Sequence, residues 1–493
     1  MTEPLDSMPR VSRAGEAGPG GSRSRELLSV LLLLGAFVAV NLVTATRFPI
    51  VWGDEVVVTD PAVNLCLGRG FTSSAWNAAT RDRFWAGNVP LHEGVLYLWL
   101  RVFGVSPLAV RSLNIALLAV SALSLWAAVR RAGFITLARN RLLFLLVAFS
   151  GYATGFAWHS GRHDDVSILL ASLATLAFTF ERSRTRLISL ALLGALFPFA
   201  GLQLVAFAGI FCLTLVLASR LKYLKESCAI AAGMAAGAVG VYALYASHGV
   251  WSDFLGSLRM SRSMGGSGLP KDPSLYLLFA AGVMLAIGEL RRGTFRPGSP
   301  LGFGLLVGVA VPGGMMAIGH FPTYYSWMAY IPLSAGVLSS PRALTLKGAH
   351  AVAATALILL ACAVGLPLQV ASAVNFWRVR DYGRVEAYVN SLIRADDWIY
   401  CEPAAYYPST RRSRNVFLRT YFAMTPEEKA RISILIVPPR EAPTDMARLG
   451  GTWTRVGSPL TSGHAGFLGL SSRLGDKLTW NYELEAWRRK IGP

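Results

Sequence analysis

The chain has 493 residues, 53% of them hydrophobic and only 15% charged, with a mean hydropathy of +0.45. Soluble domains carry charge on about one residue in four, so this composition excludes an ordinary soluble protein and points to one embedded in lipid. The net charge of +19 does not point to nucleic acid, because the basic residues fall in short clusters between apolar runs, as they do in cytoplasmic loops of membrane proteins.

Residues 1–25 are rich in Gly, Ser, Pro and Arg and read as a disordered cytoplasmic tail. About 20 apolar residues cross the hydrocarbon core as a helix. The first such run is 26–46, with Arg10, Arg13, Arg23 and Arg25 before it to hold the N-terminus inside. No small-residue cleavage site follows, so it reads as a retained span. A long polar interval then runs from Arg47 to Glu93, with the acid pair Asp54-Glu55 near its start and His92-Glu93 at its end. The run 94–104 is too short to span and is interrupted by Arg101, which predicts an interfacial or re-entrant helix. Spans follow at 107–129, ending on Arg130-Arg131, and at 142–158 and 166–180, joined by an outer turn HSGRHDDV. Residues 187–219 are apolar with basic clusters at both ends, which predicts a hairpin of two spans turning near 198–201. Further spans are expected at 228–248, 274–289, 300–319, 327–340 and 350–371. The fold class expected is thus a polytopic α-helical membrane protein of about eleven spans, N-terminus in and C-terminus out.

Beyond 372 the apolar runs shorten and charges intersperse, which predicts a small extracytoplasmic α/β domain over 372–493 behind a membrane domain over 26–371. A helix is expected over 381–394, and strands over 398–401 and 432–437, the second buried on both faces. Thr425, Pro426 and Glu428 form a capping box with Pro at the first helical position. A short helix over 444–449 should stop at Gly450-Gly451. The five cysteines show no metal spacing. Cys212, Cys228 and Cys362 read as packing residues, whereas Cys66 and Cys401 share the outer side and could pair.

On the outer side several groups can carry chemistry. Asp54 sits where the first span ends, placed either to take a proton from an acceptor hydroxyl or to pair with a neighbour such as Arg47. Arg162, His163 and Asp164 share a tight turn. Arg is the natural fork for a phosphate oxygen, and His163 and Asp164 are competent ligands for a divalent cation. In the other reading, Asp164 and Asp165 cap the following helix. Glu55 and Glu93 read as acceptor or metal contacts, and Asp60 and Asp82 as ordinary solvated residues. Arg259, Arg262 and Lys271 lie outside against the charge rule, where they could meet a lipid-linked phosphate or a headgroup. Tyr324-Tyr325 is either an interfacial aromatic belt or a stacking platform for a sugar. A transporter or flippase is the main rival, with a non-catalytic envelope scaffold and a lipid-phosphate hydrolase behind it. The lack of an internal repeat and of mid-span charges weakens the transporter.

An N-terminal span followed by WGDEVVVTDPAVNLCLGRGFT resembles the first outer loop of GT-C class glycosyltransferases, close to the bacterial relatives of protein O-mannosyltransferases and aminoarabinose transferases. The resemblance continues through Gly68-Arg69-Gly70, the jaw-helix stretch HEGVLYLWLRVFG, then Ser106, Pro107 and Arg111. It takes in Arg162-His163-Asp164 and the Tyr-rich span with Tyr324, Tyr325 and Pro332. It covers roughly 26–340. It departs where many relatives carry prolines and this chain has His92-Glu93. The resemblance implies inverting transfer of a hexosyl or pentosyl group from a polyprenyl-phosphate donor to a glycan, lipid or protein hydroxyl, on the extracytoplasmic side of the inner membrane. Asp54 would be the base, and Arg162, Arg259 and Arg262 would hold the departing phosphate. The resemblance implies no cofactor and no nucleic-acid partner; the divalent cation at His163 and Asp164 rests on the residue types alone, and the lipid-linked sugar enters as substrate.

Overall fold

The computed structural model describes residues 21–75, 82–264, 270–421, 424–461 and 476–490. The helices are α1 (Gly21–Thr44), α2 (Gly53–Cys66), α3 (Leu91–Phe103), α4 (Pro107–Arg131), α5 (Ala138–Ser150), α6 (Tyr152–His159), α7 (Asp164–Phe178), α8 (Ser183–Ala200), α9 (Leu202–Ala218), α10 (Leu224–Ser247) and α11 (Trp251–Met264). They continue with α12 (Pro273–Leu290), α13 (Pro300–Ile318), α14 (Trp327–Ser339), α15 (Ala349–Ala363) and α16 (Leu366–Asn375). Each run expected to span coincides with a helix or a bent helix pair. Five helices are long and apolar enough to cross a membrane, or up to seven if the bent pairs α5–α6 and α15–α16, with bends of 69° and 41°, each count as one. The chain is therefore a multi-pass membrane protein. Helix α7 has 15 residues and α14 has 13, so length and apolarity alone do not reach eleven crossings. The hairpin expected over 187–219 breaks at Gly201, between α8 and α9.

Helix packing follows small residues. A Cβ added at Gly233 or Gly237 of α10 would run into the carbonyls of Ala191 and Ala195 of α8. Without a hydrophobic drive between helices in lipid, such close approach supplies the packing. Helix α3 covers the run expected to be interfacial or re-entrant, starting earlier, at Leu91. It buries His92, Glu93, Leu96 and Leu100, while Leu98, Val102 and Phe103 are exposed.

The C-terminal part holds α17 (Tyr382–Leu392), α18 (Tyr406–Arg412), α19 (Pro426–Arg431), α20 (Ala442–Leu449) and α21 (Asp476–Thr479). Its strands are β1 (Trp398–Cys401), β2 (Asn415–Leu418), β3 (Ile434–Val437), β4 (Trp453–Leu460) and β5 (Leu484–Arg489). They form one sheet in the order β2-β1-β3-β5-β4. The β2, β1 and β3 strands run parallel, and β5 is antiparallel to β3 and β4. The capping box on α19 forms as expected, with Thr425 accepting from the Glu428 amide and Glu428 accepting from the Thr425 amide. All four residues of β3 are buried. Side chains alternate across a strand, and Ile434 and Ile436 enter one core while Leu435 and Val437 enter another. The first of these cores continues through Val56 and Val63 of α2 and Leu96 of α3 to Val110 and Leu113 of α4. The sheet is thereby packed onto the first loop. Cys66 and Cys401 both border this core as free thiols, so the pairing considered from the sequence does not form.

Candidate active site

Helix α2 starts at Gly53, directly after the irregular stretch that leaves α1, and places both acids in its first turn. Successive residues on a helix point about 100° apart, so the two carboxylates face different surroundings. Glu55 is fully buried and forms a two-pronged pair with Arg111 of α4, Nε to Oε1 at 2.7 Å and Nη2 to Oε2 at 2.5 Å. Arg111 also donates to the carbonyls of Ala45 and Pro49, at 2.5 and 2.8 Å. It thereby ties the end of α1 to the start of α2. Glu55 was expected to touch acceptor or metal; instead both of its oxygens are engaged with Arg111. The side chain of Asp54 is 49% exposed and bonds Arg162 through Oδ2 at 2.8 Å. Its partner is Arg162, not Arg47, which pairs with Asp381.

Arg162 is the centre of the site. Its Nε donates to Asp164 Oδ2 at 2.9 Å, its Nη1 donates to Asp54, and its guanidinium lies 3.8 Å from the centroid of the Tyr324 ring and 5.7 Å from that of Trp52. The two carboxylates each take one of the five N–H groups of the fork, and neither uses Nη2. Asp164 is in the first turn of α7, where the helix dipole favours an acid. Three features hold the 160–162 turn. Asn114, one helical turn beyond Arg111, donates to the carbonyls of Ser160 and Arg162. Gly161 lies so close to Val110 and Glu55 that a Cβ would clash. His159 bonds Thr44 of α1 at 2.8 Å.

The tyrosine turn is fixed from α12. Asp272 caps α12 through the Ser274 and Leu275 amides at 2.8 and 3.2 Å, and accepts from the Ser326 hydroxyl. Tyr324 and Tyr325 meet edge to face at 4.8 Å, and His320 is 5.7 Å from Tyr325. Tyr324 is therefore the lid of Arg162 and not a member of a lipid-interface belt alone.

His92 and Glu93, in the first turn of α3, are fully buried. Burial pushes the His92 imidazole down to about 3 and the Glu93 carboxyl well above its ordinary range. Burial likewise holds His163 down, at about 4. Neither oxygen of Glu93 and neither ring nitrogen of His163 has a hydrogen-bond partner among the described residues, and neither does Asp164 Oδ1. Buried polar groups are normally paired, and these are not. A divalent cation fits less well. Among the described residues no group of three or more His, Cys, Asp or Glu side chains gathers as a metal site, and Asp164 Oδ2 is bonded to Arg162. The donor set does not match the expected metal role of His163 and Asp164.

Two other expectations change. Asp60 was expected to be solvated but is fully buried, accepting from the Ser73 hydroxyl at 2.6 Å, the Ser74 amide at 2.9 Å and the Tyr406 hydroxyl. Asp82 is exposed as expected. Arg259 is exposed on α11, and among the described residues no contact joins it to Asp54 or Arg162. The side chain of Arg262 lies outside the described residues.

No protein-family model matches the chain, and no curated protein matches it in sequence. Solved structures do match. ArnT from Cupriavidus metallidurans bound to undecaprenyl phosphate aligns with a TM-score of 0.58 at 12% identity, covering 93% of this chain and 97% of that one. The apo state of the same protein gives 0.52 over the same shares. The chain has the ArnT fold. At this identity the likeness concerns the path of the chain, and the chemistry must be argued from the residues.

Proposed function

We propose that this protein is a glycosyltransferase that moves a sugar from a polyprenyl-phosphate donor to an acceptor hydroxyl on the extracytoplasmic side, with inversion. The observation that carries this reading is the pairing of a half-exposed Asp54 with a buried Arg162 that Asp54, Asp164 and Tyr324 approach from three sides. The fold of a protein solved with undecaprenyl phosphate supports a lipid-phosphate donor. In the proposed step the acceptor oxygen attacks the anomeric carbon as Asp54 takes its proton. The bond from that carbon to the phosphate oxygen breaks, and polyprenyl phosphate leaves. Charge grows on the departing phosphate, and a fixed cation lowers the barrier at that point. Arg162 supplies it, oriented by Asp164 and covered by Tyr324. Glu93 contacts the acceptor or the sugar as a neutral acid. Glu55 acts at one remove, holding α2 through Arg111. We place the site on the outer face of the inner membrane, with eleven crossings and the N-terminus inside, on the asymmetry of the basic loops.

The test is Asp54→Asn in purified protein, followed by release of free lipid phosphate from a panel of polyprenyl-phosphate sugars. Loss of a general base lowers rate by about 10²–10⁴-fold, and the half-exposed position should leave thermal stability unchanged. Wild-type turnover in the variant would overturn the assignment.

A further inference from the structure

The far end of α12 from the tyrosine turn carries a second feature. Helix α12 starts beside the tyrosine turn at Asp272 and ends 18 residues on at Leu290, about 27 Å away at 1.5 Å per residue. There, an open cleft of about 710 Å³ lies between the start of α5, the end of α12 and the connection from α14 to α15. Four cations line it, Arg139, Arg292, Arg342 and Lys347, and no acid does. Two helices begin at its edge, α5 with Arg139 in its first turn and α15 two residues after Lys347. Neither α5 nor α15 has a side-chain cap, so their first amides are available to an anion. Arg292 reaches to 3.5 Å from where a Cβ on Gly348, the N-terminal boundary residue of α15, would stand. The Nη1 of Arg342 is buried with no hydrogen-bond partner among the described residues. Arg139, Arg292 and Lys347 are exposed and Arg342 is half-buried; the Nη1 nitrogen of Arg342 alone is withdrawn from water and left without an acceptor, which costs free energy unless an acceptor arrives. Glu289, the acid at the end of α12, does not supply one: its Oε1 accepts from Ser340 at 2.9 Å, and Arg342 Nη1 has no hydrogen-bond partner among the described residues.

We infer that this cleft binds the phosphodiester headgroup of an anionic membrane lipid. The shared chemistry is a phosphate oxyanion held by a guanidinium fork and helix amides. The apolar lining argues for a lipid over free phosphate. Leu344 and Leu346 stand with the cations, and Leu346 is 77% exposed, which suits an acyl chain beside its headgroup. Basic pockets between membrane helices recognise anionic headgroups in this way. The site is separate from Asp54 and Arg162 and does not depend on the reaction proposed for them.

The experiment uses the full chain in neutral detergent, titrated with short-chain phosphatidylglycerol, phosphatidylcholine of the same chain length, or inorganic phosphate. Bound molecules are counted by native mass spectrometry and Tm is followed in parallel. Phosphatidylglycerol should bind one per chain and raise Tm, with the other two ligands far weaker. Arg292→Gln with Arg342→Gln should weaken binding about thirtyfold, as expected for two cations lost near an anionic headgroup. Arg130→Gln with Arg131→Gln removes the same charge outside the cleft and should leave binding as in wild type. Should the first double variant not purify, Lys347→Gln gives the same readout with a loss of about fivefold. Equal binding of phosphatidylcholine, equal loss in both double variants, or wild-type binding in the cleft variants would overturn the site. Protection by inorganic phosphate equal to that by phosphatidylglycerol would overturn the lipid assignment.

Discussion

Asp54 and Glu55 are neighbours with opposite fates, and the difference can be measured. Glu55 and Arg111 are both fully buried and bonded through both prongs. Removing one partner of such a pair leaves an uncompensated charge in the interior, at a cost of about 3–5 kcal/mol. Glu55→Ala should therefore lower Tm sharply and reduce the yield of folded protein, in contrast to Asp54→Asn. Differential scanning fluorimetry of the two variants side by side checks this. Glu93 gives a pH signature. Its folded carboxyl is held well above its ordinary 4.5 by burial, so between 4.5 and the raised value the folded chain binds a proton that the unfolded chain has lost. Stability from this residue is present below 4.5 and falls as pH rises through that window. Glu93→Gln removes the titration. Its Tm should stay flatter than wild type as pH rises above 4.5 and lie above it once the wild-type carboxyl has lost its proton. A variant that follows the wild-type slope would remove Glu93 as the source.

Among the elements, α4 does more than cross the bilayer. Arg111 and Asn114 are three residues apart, so they share one face of the helix. One holds the start of α2 and the other holds the 160–162 turn. The distance between Asp54 and Arg162 is thus set from α4. Gly161 is part of the same fit, since a Cβ there would meet Val110 and, at 3.1–3.2 Å, Glu55. Gly161→Ala should move the turn by a fraction of an ångström and lower kcat, because small misplacements of catalytic groups cost up to about 10²-fold. Kinetics of this variant at saturating donor separate the effect from binding. Arg111 was visible in the sequence as one of the positions that carry the resemblance. Asn114 was not, although its spacing from Arg111 at the helical period, with both polar in an apolar span, was a usable signal.

At the scale of the whole molecule, the C-terminal sheet packs against the loop that carries Asp54 and Glu55. Arg69 donates to the carbonyls of Thr410 and Ser413, at 2.5 and 3.0 Å. Residues 74 and 75 lie along the edge of β2 through the Ser74 carbonyl to the Leu418 amide and the Ala75 carbonyl to Thr420. Tyr406 and Tyr407 reach Asp60 and Thr59 of α2. Removing residues 381–493 would uncover the apolar face of α2 and α3. The truncated chain should insert into the membrane, since the spans remain, but lose transfer and become sensitive to protease within the first loop. Proteolysis of membranes containing each form, read by mass spectrometry, tests this. Retained activity would show that the sheet is dispensable.

The helical runs, the capping box on α19 and two of the five strands of the tail, β1 and β3, were readable in the sequence, because each is written in a local run of apolar residues or in a cap a few residues long; β2, β4 and β5 were not, because their apolar runs are short or broken by charge and their pairing is set by distant strands. The acid pair, the Arg162 turn and the tyrosine turn could be singled out in the same way, as polar residues at the ends of apolar runs. Burial and pairing could not. Asp60 reads as a loop acid until Tyr406, 346 residues away, closes over it. Asp54 and Arg162 are 108 residues apart, and only the packing of α2, α4 and α7 brings them together. Which of two adjacent acids stays half-exposed, and which is locked to Arg111, was decided by tertiary structure, since a carboxylate's role follows from the charge and the water that surround it.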